Sequence, residues 1–173
     1  MDFCRPGVTL LLMMACASVV HAQPVSPVPA DDGDHAIVFE LGWAGDWSPA
    51  EGLHPKGGTF AFEVTPVEGW LEVEVGVAAT WADGGTEVPV DVLFKKPWQF
   101  SRQFELMIGA GPELIHATRP NPATYWGLSS VLDFMFWPKK NIGWYAEPGY
   151  ELTFRNGAAH HGLAMAAGLL IGR

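Results

Sequence analysis

Across residues 69–83 the chain alternates without a break. Leu71, Val73, Val75, Val77, Ala79 and Trp81 take one parity; Glu72, Glu74, Gly76, Ala78 and Thr80 take the other. Successive side chains of a strand point to opposite faces, so this run describes a strand with one apolar face and one polar-to-small face. Which face meets water decides what the chain can fold into.

The same rhythm recurs in eight blocks, beginning at residues 36–43, where Ile37, Phe39, Leu41 and Trp43 oppose Val38, Glu40 and Gly42. Residues 44–58 and 112–124 are rich in Gly, Pro and polar residues and read as long loops. Asp83-Gly84-Gly85 is a turn signal, and residues 66–69, 96–98 and 138–141 read as short turns. Residues 156–161 separate the last two blocks. Eight strands with short connections predict an all-β, eight-stranded antiparallel up-and-down barrel. Brief turns on one end and the two long loops on the other predict a transmembrane barrel of the outer-membrane kind.

The rest of the chain fits an exported protein. Residues 1–22 have the Arg5 start, the apolar run and the Val20-His21-Ala22 site of a signal peptide. Residues 23–35, rich in Pro and Asp, read as a disordered leader, which leaves 36–173 as the barrel. Both cysteines, Cys4 and Cys16, fall in the signal, so disulfides are not expected to stabilise the mature chain. A net charge of -9 without a Lys/Arg cluster excludes nucleic acid as a partner.

Two-faced strands also suit a water-soluble lipocalin-like barrel that encloses an apolar ligand, and the choice rests on volume and on tryptophan. Eight strands leave an interior just wide enough for side chains. The Gly, Ala, Ser and Thr parity fits that space, and the Phe, Leu, Val and Ile parity belongs outside. Tracing the strands up and down puts Trp70, Trp98, Trp137 and Trp144 at one rim and Trp43, Trp47, Trp81 and Trp126 at the other. Two aromatic girdles are expected of a barrel that spans a bilayer.

The inward parity then collects Glu40, Glu63, Glu72, Glu74, Asp91, Glu105, Asp133, Glu147 and Glu151 against Lys95 and Arg155. Buried charges need partners, so the expectation is a polar network that plugs the lumen. His160-His161 with His116 and Glu113 is a conceivable site at the outer rim. Ser129 and Ser130 are the serines to weigh for a lipid A-modifying enzyme, but no His stands two residues from either on the strand. The reading is therefore non-enzymatic, with no catalytic residue, metal or cofactor.

The blocks Leu93-Phe94-Lys95-Lys96-Pro97-Trp98, Asp133-Phe134-Met135-Phe136-Trp137-Pro138 and Gly143-Trp144-Tyr145-Ala146-Glu147-Pro148 resemble small outer-membrane β-barrels of the OmpA/OmpX type. The resemblance implies a location in the bacterial outer membrane with both termini periplasmic. It also implies a structural or surface-interaction role in the envelope. Outer-membrane lipid and lipopolysaccharide would be its surroundings, the barrel-assembly machinery its partner during biogenesis, and a monomer its working state.

Overall fold

The computed structural model describes residues 36–47, 54–82, 85–118 and 122–172; the expected signal and leader lie outside the described residues. Eight strands form a single closed barrel: β1 (Ile37–Trp47), β2 (Lys56–Val67), β3 (Leu71–Ala82), β4 (Gly85–Gln99), β5 (Phe104–Ala117), β6 (Ala123–Lys139), β7 (Ile142–Arg155) and β8 (Ala158–Gly172). Each pairs antiparallel with the next, and β1 closes the ring on β8 from Val38↔Gly172 to Trp47↔Leu163. Every backbone ladder thus has a partner on both sides, the condition for crossing hydrocarbon with strands.

Several strands run further than expected. The β5–β6 ladder continues to Ala117↔Ala123, so Pro112 lies inside a strand opposite Leu128. One proline removes one donor, while alternation persists through Glu113, Ile115 and Ala117 inside and Leu114 and His116 outside. β1 and β2 likewise stay paired to Gly45↔Lys56. At the β7–β8 connection the expected longer turn shrinks to Asn156-Gly157, with φ of 53° and 77°. Two consecutive left-handed residues give the turn whose twist matches a hairpin, and Asn-Gly is the pair that adopts it most cheaply.

Alternation sorts the faces as expected on β3: Glu72, Glu74, Gly76 and Thr80 are buried, and Val75, Val77 and Trp81 are exposed. The exterior elsewhere presents Phe39, Leu41, Phe94, Ile108, Leu128, Leu132, Leu169 and Ile171. The lumen is bulkier than a small-residue filling. Val38, Met107, Met135, Trp137, Tyr145 and Leu170 form a core toward the end that carries the β2–β3, β4–β5 and β6–β7 turns, hereafter the turn end. A smaller cluster of Ile115, Ala117 and Tyr125 lies toward the opposite, loop end. Large inward side chains are accommodated by glycines across from them. Gly42 and Gly168 face each other on the closing seam. A Cβ on Gly42 would overlap the Tyr145 hydroxyl and the Ala167 carbonyl, and one on Gly168 would overlap the backbone of Leu41 and Gly42.

The tryptophans divide between the two ends. Trp43, Trp47, Trp81 and Trp126 stand outward near the loop end, where Trp43 and Trp81 meet edge to face at 5.7 Å. Trp70, Trp98 and Trp144 stand outward near the turn end. Trp137 departs from the expectation of an interface residue. It is at the right height but only 8% exposed, because it shares the inward parity of Asp133 and Met135. It belongs to the internal core instead.

Candidate functional site in the barrel lumen

The eleven charged residues expected inside the barrel do lie on its inward face: Glu40, Glu63, Glu72, Glu74, Lys95 and Asp133 are buried, and Asp91, Glu105, Glu147, Glu151 and Arg155 are partly covered. They do not form one uniform network. Lys95 and Arg155 anchor two separate layers, and Glu72, Glu105, Asp91 and Glu151 line the cavities beside them.

The first layer surrounds Lys95. Its position on β4 opposite Gly109 of β5 lets the aliphatic stem lie over a residue without a side chain; a Cβ there would come within 2.6 Å of Lys95 Cγ. The ammonium donates to Glu74 Oε2, to Asp133 Oδ2 at 2.7 Å and to Glu147 Oε2 at 2.9 Å. Glu63 Oε2 is 3.5 Å away. These partners come from β2, β3, β6 and β7, so one lysine ties opposite walls of the barrel together. Lys95 and Asp133 are both 0% exposed. Charge-assisted bonds of this kind are the strong class, and the desolvation they must offset is correspondingly large.

The second layer lies toward the loop end. Tyr125 donates to Glu87 Oε1 at 2.8 Å, and Arg155 donates to the Tyr125 hydroxyl at 3.2 Å. The guanidinium also stands over the Tyr125 ring at 4.5 Å. Its approach to Glu87 is only 4.0 Å, with roughly a third of each side chain exposed (32% and 33%). Between the layers is a cavity of about 70 Å³, bordered by Asp46, Asp91, Glu113 and Glu151 as well as Glu40, Glu74 and Glu147. A larger cavity of about 310 Å³ opens at the turn end against Glu63, Glu72, Glu105, Arg102 and Trp137. The two cavities share no lining residue, and Lys95 with its carboxylates stands where they would otherwise meet.

Sequence reasoning missed Glu113, Asp46 and Tyr125 as lumen residues. Glu113 and Asp46 fell in segments read as loops, and extending the parity of β5 and β1 past the glycines and Pro112 would have found both. Tyr125 fell at the edge of the same assumed loop. The rim grouping of His160, His161, His116 and Glu113 is not assembled. Glu113 is buried inside, whereas His116 is outside, 2.9 Å from Thr124 Oγ1 on the β5–β6 pair. His161 bonds the Tyr150 hydroxyl on the β7–β8 pair. Ser129 faces inward, and the outward Ser130 reaches the Tyr150 carbonyl at 3.4 Å. Among the described residues no serine, histidine and acid come together as a nucleophilic triad.

No family profile matches the sequence, and no curated protein is similar to it. Solved structures are similar to it in fold. Neisserial surface protein A matches with a TM-score of 0.64 at 10% identity, over 79% of this chain and 96% of that one. The outer membrane protein OprG of Pseudomonas aeruginosa matches with 0.60 at 11%, over 81% and 97%. A major outer membrane protein of Thermus thermophilus matches with 0.57 at 11%, over 79% and 99%. The chain thus has the eight-stranded fold of outer-membrane β-barrels, with its apolar parity outside, where a lipocalin-like barrel would hold it inside.

Proposed function

We propose that the protein is a barrel of the bacterial outer membrane with a structural or surface-interaction role and no catalysis. The observation that carries this is the lumen. Its middle is filled by Lys95 and the carboxylates of four other strands, while the exterior is apolar between two tryptophan rows. A barrel filled in this way holds its strands rigidly in lipid and presents its connections to either side. The short turns after β2, β4 and β6 then face the periplasm, with both termini, and the β1–β2 and β5–β6 connections face outward. Outer-membrane acyl chains and lipopolysaccharide contact the exterior, the barrel-assembly machinery inserts the chain, and it works as a monomer.

The test is an epitope placed in the β1–β2 connection. Antibody should label it on intact cells, and the extracted protein should change gel mobility on boiling. Release into buffer without detergent, or labelling only after the outer membrane is opened, defeats this reading.

A further inference from the structure

The Lys95 layer holds more negative charge than its one ammonium balances. Glu40, Glu63, Glu74, Asp133 and Glu147 all act on that ammonium or on one another. If all five are ionised, four negative charges are left over. Three oxygens in this layer, Glu40 Oε1, Glu63 Oε2 and Asp133 Oδ1, are buried without a hydrogen-bond partner among the described residues, Glu63 Oε2 having only the 3.5 Å approach of the Lys95 ammonium. Glu40 and Glu63 are 2% exposed and Asp133 0%, so contact with bulk water does not satisfy them. Asp133 is the most telling: one oxygen is held by Lys95 at 2.7 Å, while the other has no such partner.

The residues that carry them stand together. Glu40, Glu63 and Asp133, with Glu74, can each offer one carboxylate oxygen within 4.8 Å of the others. Calcium binds oxygen at about 2.3–2.6 Å, so oxygens on opposite sides of one ion are about 5 Å apart at most. Magnesium demands a tighter octahedron and keeps several waters, which this packed layer does not favour. The ligand set contains oxygen alone, which disfavours softer metals.

We propose that this layer of the lumen binds a hard divalent cation of the calcium class between Glu40, Glu63, Glu74 and Asp133, beside the Lys95 ammonium. Asp133 bridges the two positive centres, one oxygen to each. The ion removes half of the uncompensated charge and adds β1, through Glu40, to the β2, β3, β4, β6 and β7 walls that Lys95 already links. It reaches the layer from the turn end, where Glu63 and Glu72 line the larger cavity.

The experiment uses the full barrel folded in detergent, stripped with EDTA, and titrated with terbium chloride as a luminescent calcium surrogate and then with calcium chloride in competition. The expected result is a saturable terbium signal that calcium displaces, and a higher unfolding temperature in calcium than in sodium chloride of equal ionic strength. Glu40→Gln and Asp133→Asn should each weaken binding by about tenfold or more. Glu87→Gln, in the other layer, should leave it unchanged. Gel mobility before and after boiling shows which variants fold, and the isosteric Glu40→Gln guards against loss of Asp133→Asn to misfolding. Should neither fold, the calcium response of the native protein's unfolding temperature decides. Absence of a calcium response in the native barrel overturns the proposal, as does native affinity in a folded Glu40→Gln.

Discussion

The two charged layers of the lumen are each built around one cation but differ in water. Lys95 is fully covered and bonds three carboxylates from three strands, whereas Arg155 is a third exposed, bonds a tyrosine, and comes no nearer than 4.0 Å to the Glu87 carboxylate. In the first layer the charges have lost nearly all of their hydration, Glu147 keeping a 12% exposed side chain, and depend on their neighbours. In the second, solvent screens the ions and shares their stabilisation. Acid–base pairs drawn from a sequence are therefore not equivalent. Depth in the barrel sets what each is worth.

The largest effect expected from breaking this contrast is Lys95→Met. It leaves the buried carboxylates without their cation and should cost about 3–5 kcal/mol in urea unfolding from lipid vesicles. A loss under about 1 kcal/mol, the scale of a surface pair, would mean that the layer is far wetter than its burial implies. Next comes Val75→Arg, which places a cation one residue from Glu74 but on the outer face. At the middle of a bilayer it should destabilise by about 2–4 kcal/mol in the same assay. A neutral result would remove Val75 from the lipid-facing band.

Gly109→Val leaves all charges intact and presses first on the Lys95 stem, then on Val131 and on the Phe94 carbonyl. Overpacking of this kind costs about 1–3 kcal/mol, and an additional Lys95→Met should lose less than the sum of the two single changes. Strict additivity in that double-mutant cycle would show that the glycine does not serve Lys95. The smallest change is Arg155→Met, expected within about 1 kcal/mol in vesicles and shrinking further as salt is raised. A loss as large as that of Lys95→Met would erase the distinction between the layers.

Much of the barrel was legible in the strands themselves. Parity placed Glu72 and Glu74 inside and Val75 and Val77 outside on β3, and the same rule assigned all eleven charged lumen residues to the inward face. Trp137 was misjudged because its height near the turn end was given more weight than its parity with Asp133. The ends of β5 and β8 were misjudged because Pro112 and the polar residues 156–161 look like breaks. A ladder with partners on both sides tolerates one missing donor, and only pairing shows that it continues.

What the sequence by itself determined is the period of two and the identity of the residues on each parity, because backbone geometry fixes that alternation locally. What only the tertiary structure decided is which inward residues meet. Lys95 lies 21, 38 and 52 residues from Glu74, Asp133 and Glu147, and barrel closure and strand register bring them to one ammonium. The same register leaves Arg155 in the wetter layer. Both cations share a parity in the sequence; the barrel gives them different depths, and the electrostatic energy follows depth.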